Sequence, residues 1–354
     1  MGKNYQIAIV ILNWNGAKLF DTYLPSVIRN SEQPNVGLIV ADNGSTDNSI
    51  EHLRTNFPSV KIIDLKKNYG FAEGYNRALK QVNADIFVLL NSDVEVTPGW
   101  LKSPLNMMEK DESVAAVQPK ILSHEKPHLF EYAGAAGGFI DRFGYPFCRG
   151  RMLNRLEPDL GQYNKSTPVF WASGACMFIK AEAFKNAGGF DGDFWAHMEE
   201  IDLCWRLKNQ GYKIMYQPES VVFHLGGGTL SYGSPRKVYL NFRNNLFMLF
   251  KNLPRPYFNR IFFARMILDG VAAVKFLAGF HFTSFRAVIR AHASFYRHLG
   301  SLIEKRKKLL PLTVKKEHSE IYRKSIMWKF FIQKKRRYSE LGFNPEKRTE
   351  TDIS

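Results

Sequence analysis

The chain has 354 residues, 45% of them hydrophobic, which is enough to bury a sizeable core in one large domain or two smaller ones. The formal net charge of +16 is unevenly distributed: residues 231–354 hold 26 of the 49 Lys and Arg but 8 of the 33 Asp and Glu, a net of +18. Residues 1–230 hold the other 23 basic and 25 acidic residues, a net of −2, so the C-terminal part alone is expected to seek anionic surfaces.

The cysteines and the first residues bear on the compartment. Cys148, Cys176 and Cys204 are odd in number and far apart, so the sequence predicts neither a disulfide framework nor a zinc site and fits a reducing cytosol. The first apolar run is reached by Gln6, without a signal-length apolar segment, so secretion is not expected.

Short apolar runs alternate with helical patterns over the first hundred residues. The runs lie at 7–12, 36–41, 61–65 and 87–90, and helical patterns follow each of them. Fully apolar runs of this length are typical of strands buried on both faces. Strands that alternate with helices predict an α/β fold whose parallel sheet has right-handed crossovers.

A polar loop follows each of these runs. The loops are Asn13-Trp14-Asn15-Gly16, 42–47, 68–76 and Asn91-Ser92-Asp93. Taken singly, they are typical of strand-to-helix turns, and Ser92 or Asp93 could equally cap a helix. In a parallel sheet, however, all four fall on the edge where open α/β sheets bind ligands. Asp93 would there be placed to hold a hard cation and, through it, a diphosphate.

The composition of the other loops indicates a nucleotide. Asp42 is an acceptor suited to the imide N–H of a pyrimidine base, and Asn68, Gly70 and Asn76 suit close approach of backbone to a nucleotide. No G-x-G-x-x-G or Walker-type loop occurs in the sequence, which disfavours a dinucleotide or ATPase site.

The middle of the chain contains an insertion and an acidic helix start. Residues 124–167 are rich in Gly, Pro and aromatics and are interpreted as a hairpin-containing insertion, and the apolar strand at 170–179 is interrupted by Ser173-Gly174, a signal of close backbone approach to a ligand. The pattern at 198–210 predicts a helix whose first turn carries Glu199, Glu200 and Asp202. Acids there also complement the helix dipole, so composition leaves their role open.

These motifs together resemble one known family. The four loops named above are followed in order by Ala172-Ser173-Gly174-Ala175, Gly188-Gly189-Phe190-Asp191 and Glu199-Glu200-Ile201-Asp202. The set, over about residues 5–228, resembles family-2 glycosyltransferases of the GT-A fold, and within them bacterial rhamnosyltransferase-like members. The resemblance implies a mixed, mainly parallel sheet flanked by helices, forming a glycosyltransferase domain over residues 1–230.

The resemblance also implies roles for individual residues. Glu200 stands where most members carry a catalytic Asp, with Glu199 and Asp202 as alternatives, and Trp171 is a further acceptor-side candidate. Asp93 and His224 would bind Mn²⁺ or Mg²⁺. Many relatives have Asp at the position of Asn91, which leaves Asp93 as the one carboxylate of this loop. The implied donor contacts are Asn13, Asn15, Asp42, Asn68, Gly70, Asn76, Asn91, Ser92 and Gly174.

The activity implied by the resemblance is that of an inverting, metal-dependent glycosyltransferase of the hexosyltransferase class. The donor would be a dTDP- or UDP-linked sugar, rhamnose first, and the acceptor a hydroxyl of a lipid-linked saccharide in cell-surface polysaccharide synthesis. Two alternatives stay open at this stage: a non-catalytic scaffold that binds sugar nucleotides or glycans, and a membrane-bound adaptor.

The basic C-terminal region, residues 231–354, alternates aromatic and aliphatic residues with Arg and Lys. Its most apolar stretch, 261–280, contains Arg265, Asp269 and Lys275, and each central charge costs roughly 2.5–3.5 kcal/mol on insertion scales, so a membrane span is not predicted.

We expect amphipathic helices on the anionic inner face of the cell membrane, with basic clusters at 305–308 and 334–337 adding about 1 kcal/mol per charge. A solvated helical packing domain is the alternative. Nucleic-acid binding is not expected, a homo-oligomer is left open, and the last dozen residues are expected to be disordered.

Overall fold

The computed structural model describes residues 4–226 and 234–347. Gly227 and Gly228, which follow His224 in the sequence, lie outside the described residues, as do residues 348–354 of the tail. The expectation of a disordered tail is wrong for 343–347, because Phe343 is buried there and Glu346 accepts a hydrogen bond from Thr167 (2.8 Å).

Two sheets contain the strands of this part of the chain. The strands are β1 (Asn4–Asn13), β2 (Val36–Asp42), β3 (Lys61–Asp64), β4 (Asn83–Leu90), β5 (Val94–Val96), β6 (Val114–Ser123), β7 (Gly138–Asp141), β8 (Pro146–Cys148), β9 (Arg151–Met152), β10 (Arg155–Leu156), β11 (Thr167–Val169), β12 (Cys176–Lys180), β13 (Lys213–His224) and β14 (Ile321–Tyr322).

Helices flank the larger sheet and form most of the C-terminal region. They are α1 (Ala17–Ser31), α2 (Ser49–Asn56), α3 (Gly70–Leu79), α4 (Lys102–Lys110), α5 (Ala181–Asn186), α6 (Glu199–Asn209), α7 (Pro235–Asn252), α8 (Arg255–Ala278), α9 (Phe282–Arg297), α10 (Leu299–Leu309) and α11 (Ile326–Phe331).

The large sheet has the order β11-β13-β6-β12-β4-β1-β2-β3, with β5 paired to β13. The strands β4, β1, β2 and β3 pair in parallel, and so do β13 and β6, whereas β12 is antiparallel to both of its neighbours. The predicted mixed, mainly parallel sheet flanked by helices is therefore confirmed. Asn13 pairs with Asp42, which in turn pairs with Asp64, so these strand ends share one edge.

Burial on both faces explains the unbroken apolar runs. In β1 and β4, Ile9 and Val88 belong to one hydrophobic core while Val10 and Leu89 belong to the core on the other side of the sheet. All four side chains are 0% exposed. A parallel sheet covered by helices on both faces requires this composition.

Two strand predictions need correction. The predicted strand at 170–179 begins at Cys176, because the Ser173 N–H bonds the side chain of Gln118 rather than a neighbouring strand. From the sequence we expect separate strands at 213–216 and near Val221, but these are one strand, β13, with a register shift between Gln217 and Val221.

The C-terminal region packs on the insertion. The smaller sheet has the order β10-β9-β8-β7-β14, so the 124–167 segment supplies the expected hairpin and the C-terminal region adds its last strand in parallel to β7. Phe139 and Phe147 of the insertion pack against the rings of Tyr338 and Phe343. The basic C-terminal region, residues 231–354, is therefore in direct contact with the part of the chain before residue 230.

Helix α8 buries one pair of opposite charges. Its buried residues are Arg265, Asp269 and Ala273, and the Arg265 Nε donates to Asp269 Oδ1 at 2.7 Å. The other Asp269 oxygen lies 3.2 Å from His292 Nε2 on α9. Within residues 4–226 and 234–347, no helix combines the length and the apolarity that crossing a bilayer needs.

We predict that Asp269→Ala lowers the free energy of unfolding by about 3–5 kcal/mol, because it leaves the buried Arg265 guanidinium without its counter-charge. Urea denaturation followed by circular dichroism measures the change. The control is Glu304→Ala, which removes an exposed ion pair to Lys307. A loss for Asp269→Ala no larger than that of the control contradicts a structural role for this pair.

Candidate functional site

The loops after β1 and β2 form one hydrogen-bonded unit. The Asn13 Nδ2 donates to Asp42 Oδ1 (2.9 Å), and the backbone N–H of Ser45 donates to Asp42 Oδ2 (2.9 Å). Asn15, with a positive φ of 55°, accepts from the backbone N–H of Thr46 (2.7 Å). Asn13 and Asp42 are fully buried, so the unit presents a fixed surface at the carboxyl edge of the sheet.

Asn43, which the sequence analysis did not single out, links this unit to the third loop. Its Nδ2 donates to the Gly70 carbonyl (3.0 Å) and its Oδ1 accepts from the Tyr69 N–H (3.1 Å). Asn68 in turn accepts from the Gly70 N–H (2.8 Å). Three of the four predicted loops are thus joined by side-chain amides.

Gly70 is required for close packing against Trp195. Its φ is +77°, and a Cβ at this position would lie 2.7 Å from the Trp195 ring and 2.8 Å from its carbonyl oxygen. That same carbonyl accepts the N–H of Phe71 (2.7 Å) at the start of α3. The sequence indicated that the backbone at Gly70 approaches a nucleotide closely. Within the chain, the close approach is to the loop that contains Trp195.

Asn76 also faces this loop. Its Nδ2 donates to the Phe190 carbonyl (2.8 Å) and its Oδ1 accepts from the Phe190 N–H (2.9 Å). Both ends of the amide are used, so we assign Asn76 to holding the segment ahead of α6 rather than to contacting a donor.

Trp171 and Gly174 lie in the interior. Trp171 is 3% exposed, and its Nε1 donates to the Phe139 carbonyl (2.9 Å), which ties the small sheet to the large one. A Cβ on Gly174 would be 3.0 Å from the Phe71 ring. Within the chain, therefore, these two residues serve packing.

The fourth loop meets the end of β13. In the pairing of β13 with β5, His224 lies opposite Val94, next to Asp93 in the chain. The His224 Nε2 is 3.1 Å from Asp93 Oδ1 and 3.3 Å from Asn91 Nδ2. The predicted metal ligands, 131 residues apart, are thus brought together with the adjacent Asn91.

The second ring nitrogen of His224 faces Glu131, a residue that the sequence analysis missed. The His224 Nδ1 is 3.3 Å from Glu131 Oε2, an ion-pair distance. Burial alone would lower the pKa of His224, but Asp93 and Glu131 outweigh it and raise the pKa to about 10. Although burial opposes it, His224 conversely holds the pKa of Asp93 below its ordinary value.

The residues present fit a divalent ion. Two ligand atoms at neighbouring positions around an ion, each about 2.1 Å from it, lie about 3 Å from each other. The Asp93 Oδ1 and His224 Nε2 atoms have this spacing, at 3.1 Å. A carboxylate behind the imidazole, here Glu131, is the usual support of a histidine ligand. In the described part of the chain, no group of three or more His, Cys, Asp or Glu could hold a metal by itself, so a bound substrate would have to complete the coordination.

The three acids of α6 have different surroundings. Asp202 is fully buried, and its Oδ2 accepts from Arg206 Nε (2.9 Å) and Lys251 Nζ (2.9 Å). Asn252 donates to its other oxygen (2.8 Å). These contacts make Asp202 a structural anchor between α6 and α7.

Glu200 and Glu199 lack such partners. The Oε2 atoms of both carboxylates are buried without a hydrogen-bond partner, although Glu200 as a whole is partly exposed. Burial raises the pKa of Glu200 to about 7, against backbone hydrogen bonds that lower it. Burial and the neighbouring Glu200 raise the pKa of Glu199 well above its ordinary value. A carboxylate with a pKa near 7 is suited to proton transfer at neutral pH.

Two carboxylates, Glu131 behind His224 and Glu200 of α6, act electrostatically on a common thiol, that of Cys148. Burial raises the pKa of the Cys148 thiol, and the charges of Glu131 and Glu200 raise it further. Both carboxylates are therefore within electrostatic range of Cys148, although they come from different elements. The buried Arg151 donates to Cys148 Sγ (3.4 Å), and its Nε has no hydrogen-bond partner. This cation is a second feature that the sequence analysis missed.

A strained loop precedes α6. Trp195, His197 and Met198 all have positive φ, between 63° and 71°. Such conformations persist where surrounding contacts impose them. Here the fully buried Asn244 of α7 donates through Nδ2 to the carbonyls of Phe194 (2.9 Å), Ala196 (2.9 Å) and His197 (2.7 Å). Helix α7 thus sets the path of the chain into Glu199 and Glu200.

The sequence is similar to a known protein family and to individual proteins. The sequence model of the family described as Glycosyl transferase family 2 matches residues 8–188, just over half of the chain. The N-acetylglucosaminyl-diphospho-decaprenol L-rhamnosyltransferase of Mycobacterium tuberculosis is 27% identical over 240 residues, covering 62% of this chain and 75% of that protein. The O-antigen biosynthesis protein RfbC of Myxococcus xanthus is 24% identical over 222 residues, covering 62% of this chain and 17% of that protein.

Solved structures share the fold. GalNAc-T7 with UDP, GalNAc and Mn²⁺ superposes with a TM-score of 0.54 at 16% identity, covering 70% of this chain and 48% of that one. Mannosyltransferase PcManGT from Pyrobaculum calidifontis, in complex with GDP-Man and Mn²⁺, gives a TM-score of 0.51 at 15% identity, covering 89% and 87%. This likeness confirms the expected GT-A fold.

We predict that Asn244→Ala loosens the loop ahead of α6, because three carbonyls lose a buried donor. Stability falls by about 2 kcal/mol or more, and the Phe71 and Ala72 N–H groups, which donate to the Trp195 carbonyl, exchange faster with solvent. Hydrogen exchange followed by mass spectrometry measures the exchange rates of these N–H groups. Asn106→Ala, on the exposed face of α4, is the control. Unchanged protection of Phe71 and Ala72 refutes the assigned role.

Proposed function

Because the chain belongs to glycosyl transferase family 2 and is a glycosyltransferase, we propose that it transfers a sugar, with inversion and with a divalent cation, from a nucleoside-diphosphate donor to a hydroxyl of a lipid-linked saccharide. The observation that carries this proposal is the approach of Asp93 and His224 at the carboxyl edge of the sheet. The Glu200 carboxylate at the start of α6, whose Oε2 has no hydrogen-bond partner, supports it. Rhamnose from dTDP is the first donor to test, and UDP-hexoses are the second.

The donor would lie along the loops of the carboxyl edge. The unit of Asn13, Asn15 and Asp42 is preorganised by its own hydrogen bonds, so it can bind the nucleoside without paying for loop ordering. Asn68 extends this surface. Ser92 lies beside the loop after β1, because its Oγ would be 3.7 Å from a Cβ added to Gly16. The relative from Mycobacterium tuberculosis supports rhamnose by its name, and the solved neighbours support a sugar nucleotide by theirs.

Asp93 and His224 would hold Mn²⁺ or Mg²⁺, with Asn91 beside them and Glu131 orienting the imidazole. The bound ion would supply charge neutralisation for the diphosphate leaving group. Arg151 lies in the same region and contributes a buried positive charge near Glu131. A positive field of this kind favours a departing diphosphate.

Glu200 is assigned as the general base. It takes the proton of the acceptor hydroxyl while that oxygen forms a bond to the anomeric carbon and the carbon–phosphate-oxygen bond breaks. The electron pair of the broken bond leaves with the nucleoside diphosphate. A single displacement from the face opposite the leaving group inverts the anomeric configuration. Glu199, more deeply buried and with a pKa raised well above its ordinary value, stays the alternative base.

A lipid-linked acceptor implies work at a membrane surface. The relative's name specifies a decaprenol-linked substrate, and by analogy we assign the chain to the cytoplasmic face of the cell membrane as a peripheral protein. Cell-surface polysaccharide synthesis is the corresponding process, which the relative named for O-antigen biosynthesis also supports.

The assignment predicts that Glu200→Gln lowers sugar transfer by roughly 10²–10⁴-fold while donor binding is retained, because the amide cannot accept the proton. Asp93→Ala lowers both Mn²⁺ binding and transfer, by about 100-fold or more. Transfer from dTDP-rhamnose and UDP-hexoses is followed by release of the nucleoside diphosphate, and Mn²⁺ binding by calorimetry.

The matched controls are Asp85→Ala on β4 and Glu182→Gln on α5, both exposed. Near-normal transfer by Glu200→Gln contradicts the base assignment. Transfer by Asp93→Ala at the rate of the Asp85→Ala control contradicts the metal assignment.

The raised pKa of Glu200 predicts the pH dependence of transfer. Since the base must be ionised, kcat/KM rises roughly tenfold per pH unit below about pH 7 and levels off above it. Initial rates between about pH 5.5 and about pH 8.5 measure the profile. Enzyme held at the low pH is then returned to the high pH, and recovery of its full rate shows that the low rates did not reflect unfolding. A flat profile, or one that falls with rising pH across this range, is incompatible with Glu200 as the base.

A further inference from the structure

The outward surface of the α8–α9 hairpin is apolar where a solvated helix would be polar. Helix α8 buries Arg265 and Asp269 and packs Phe258, Phe262 and Met266 on the protein, but it exposes a second set of apolar residues. The following turn and α9 continue this exposed surface. We call this surface the α8–α9 face. Its exposed apolar residues are Phe263 (68% exposed), Ile267 (53%), Val271 (60%), Val274 (63%), Leu277 (41%), Phe280 (80%), Phe282 (53%), Ile289 (53%) and Tyr296 (58%).

Spacing on the helix makes the α8 part a continuous stripe. Positions 263, 267, 271, 274 and 277 differ by three or four residues and so lie on one side of α8. Helix α11 extends the patch, since Lys275 lies over the ring of its half-exposed Phe331 (4.4 Å). Monomeric soluble proteins rarely expose contiguous apolar patches beyond a few hundred Å², and larger ones mark interaction sites.

The exposed charges of the hairpin are all positive. Residues 255–303 contain seven Arg or Lys and one acid, Asp269. Asp269 and its partner Arg265 are buried, which leaves six exposed basic residues on α8 and α9. They are Arg255, Arg260, Lys275, Arg286, Arg290 and Arg297.

We propose that the α8–α9 face docks on the surface of an anionic phospholipid bilayer, with its apolar residues in the interfacial region and its basic residues on the headgroups. An apolar face rimmed by cations has the chemistry of an interfacial helix. A second copy of the chain fits less well, because a two-fold interface would set the same unbalanced positive charges against each other. Phe280 in the turn is the most exposed of these residues, and with Phe282 at the start of α9 it is the candidate for insertion.

Docking here would hold helix α7, and with it the loop ahead of Glu200, against the lipid surface. Helix α9 packs on α7 through Phe295, whose ring lies 5.6 Å from that of Phe250 and 6.4 Å from that of Phe247. Helix α7 in turn holds the loop ahead of Glu200 through Asn244. This consequence rests on the proposed transfer to a lipid-linked acceptor, whereas the docking itself is independent of it.

The test is flotation of the full-length protein with vesicles of phosphatidylcholine alone or mixed with phosphatidylglycerol. The wild type is expected to float with the anionic vesicles, and binding is expected to weaken with added salt. The double variant Phe280→Ser/Phe282→Ser is expected to lose at least about tenfold in partitioning, and Arg286→Glu/Arg290→Glu roughly 30-fold. The control is Leu160→Ser, which removes an 81% exposed apolar side chain in the 124–167 insertion.

Equal binding to neutral vesicles, or equal loss in the Leu160→Ser control, overturns the proposal. So does a dimer in sedimentation analysis that the Phe280→Ser/Phe282→Ser variant abolishes. Transfer to a water-soluble saccharide acceptor, assayed without vesicles, should be the same in wild type and this variant. Absence of any transfer with intact vesicle binding counts against the proposed function and leaves the docking surface standing.

Discussion

The site depends on the pairing of β13 with β5. That pairing sets His224 opposite Val94 and so brings its imidazole to the Asp93 carboxylate, 131 positions earlier in the chain. Because side chains alternate across a strand, a slip of one residue would turn His224 to the other face of the sheet. The parallel pairing of β13 with β6 fixes the same register from the other side. The ion site is therefore a product of sheet register rather than of any local motif.

A network of buried charges carries the register into the helical region. Lys251 of α7 lies 2.9 Å from Asp202 and 2.6 Å from Asp191, and Lys305 of α10 lies 2.5 Å from the same Asp191. These contacts span α6, the loop before it, α7 and α10. Burial would raise the pKa of Asp191, but the positive charges of Lys251 and Lys305 outweigh it and hold this pKa well below its ordinary range. The helix bearing Glu200 is thus held in one framework with α7 and α10.

Much of this arrangement could be predicted from local sequence. The unbroken apolar runs and the polar residues after them were sufficient to predict the parallel sheet and the edge at which its loops meet. Strands buried on both faces must be apolar throughout, so they can be recognised from composition alone. The acidic turn at Glu200 and the pair of Asp93 and His224 followed from the family resemblance. The contacts of the donor and the catalytic roles of these residues stay predictions.

Other features left no local trace. Glu131 reaches His224 from an irregular segment after β6, and Arg151 reaches Cys148 from a two-residue strand, so neither stood out in the sequence. Asn76 has a side chain that suits a nucleotide, but its partner Phe190 lies 114 residues away. In α8 two of the three charges that argued against a membrane span, Arg265 and Asp269, are buried because they satisfy one another, whereas Lys275 and a stripe of apolar residues are exposed.

The most direct test of the account is an anomalous difference map from crystals grown with Mn²⁺ and either UDP or dTDP. The account predicts a peak bound by Asp93 and His224, with Glu131 behind the imidazole and the Glu200 carboxylate facing the open side of the diphosphate. A peak elsewhere, or Glu200 in a cleft separate from the diphosphate, would contradict it.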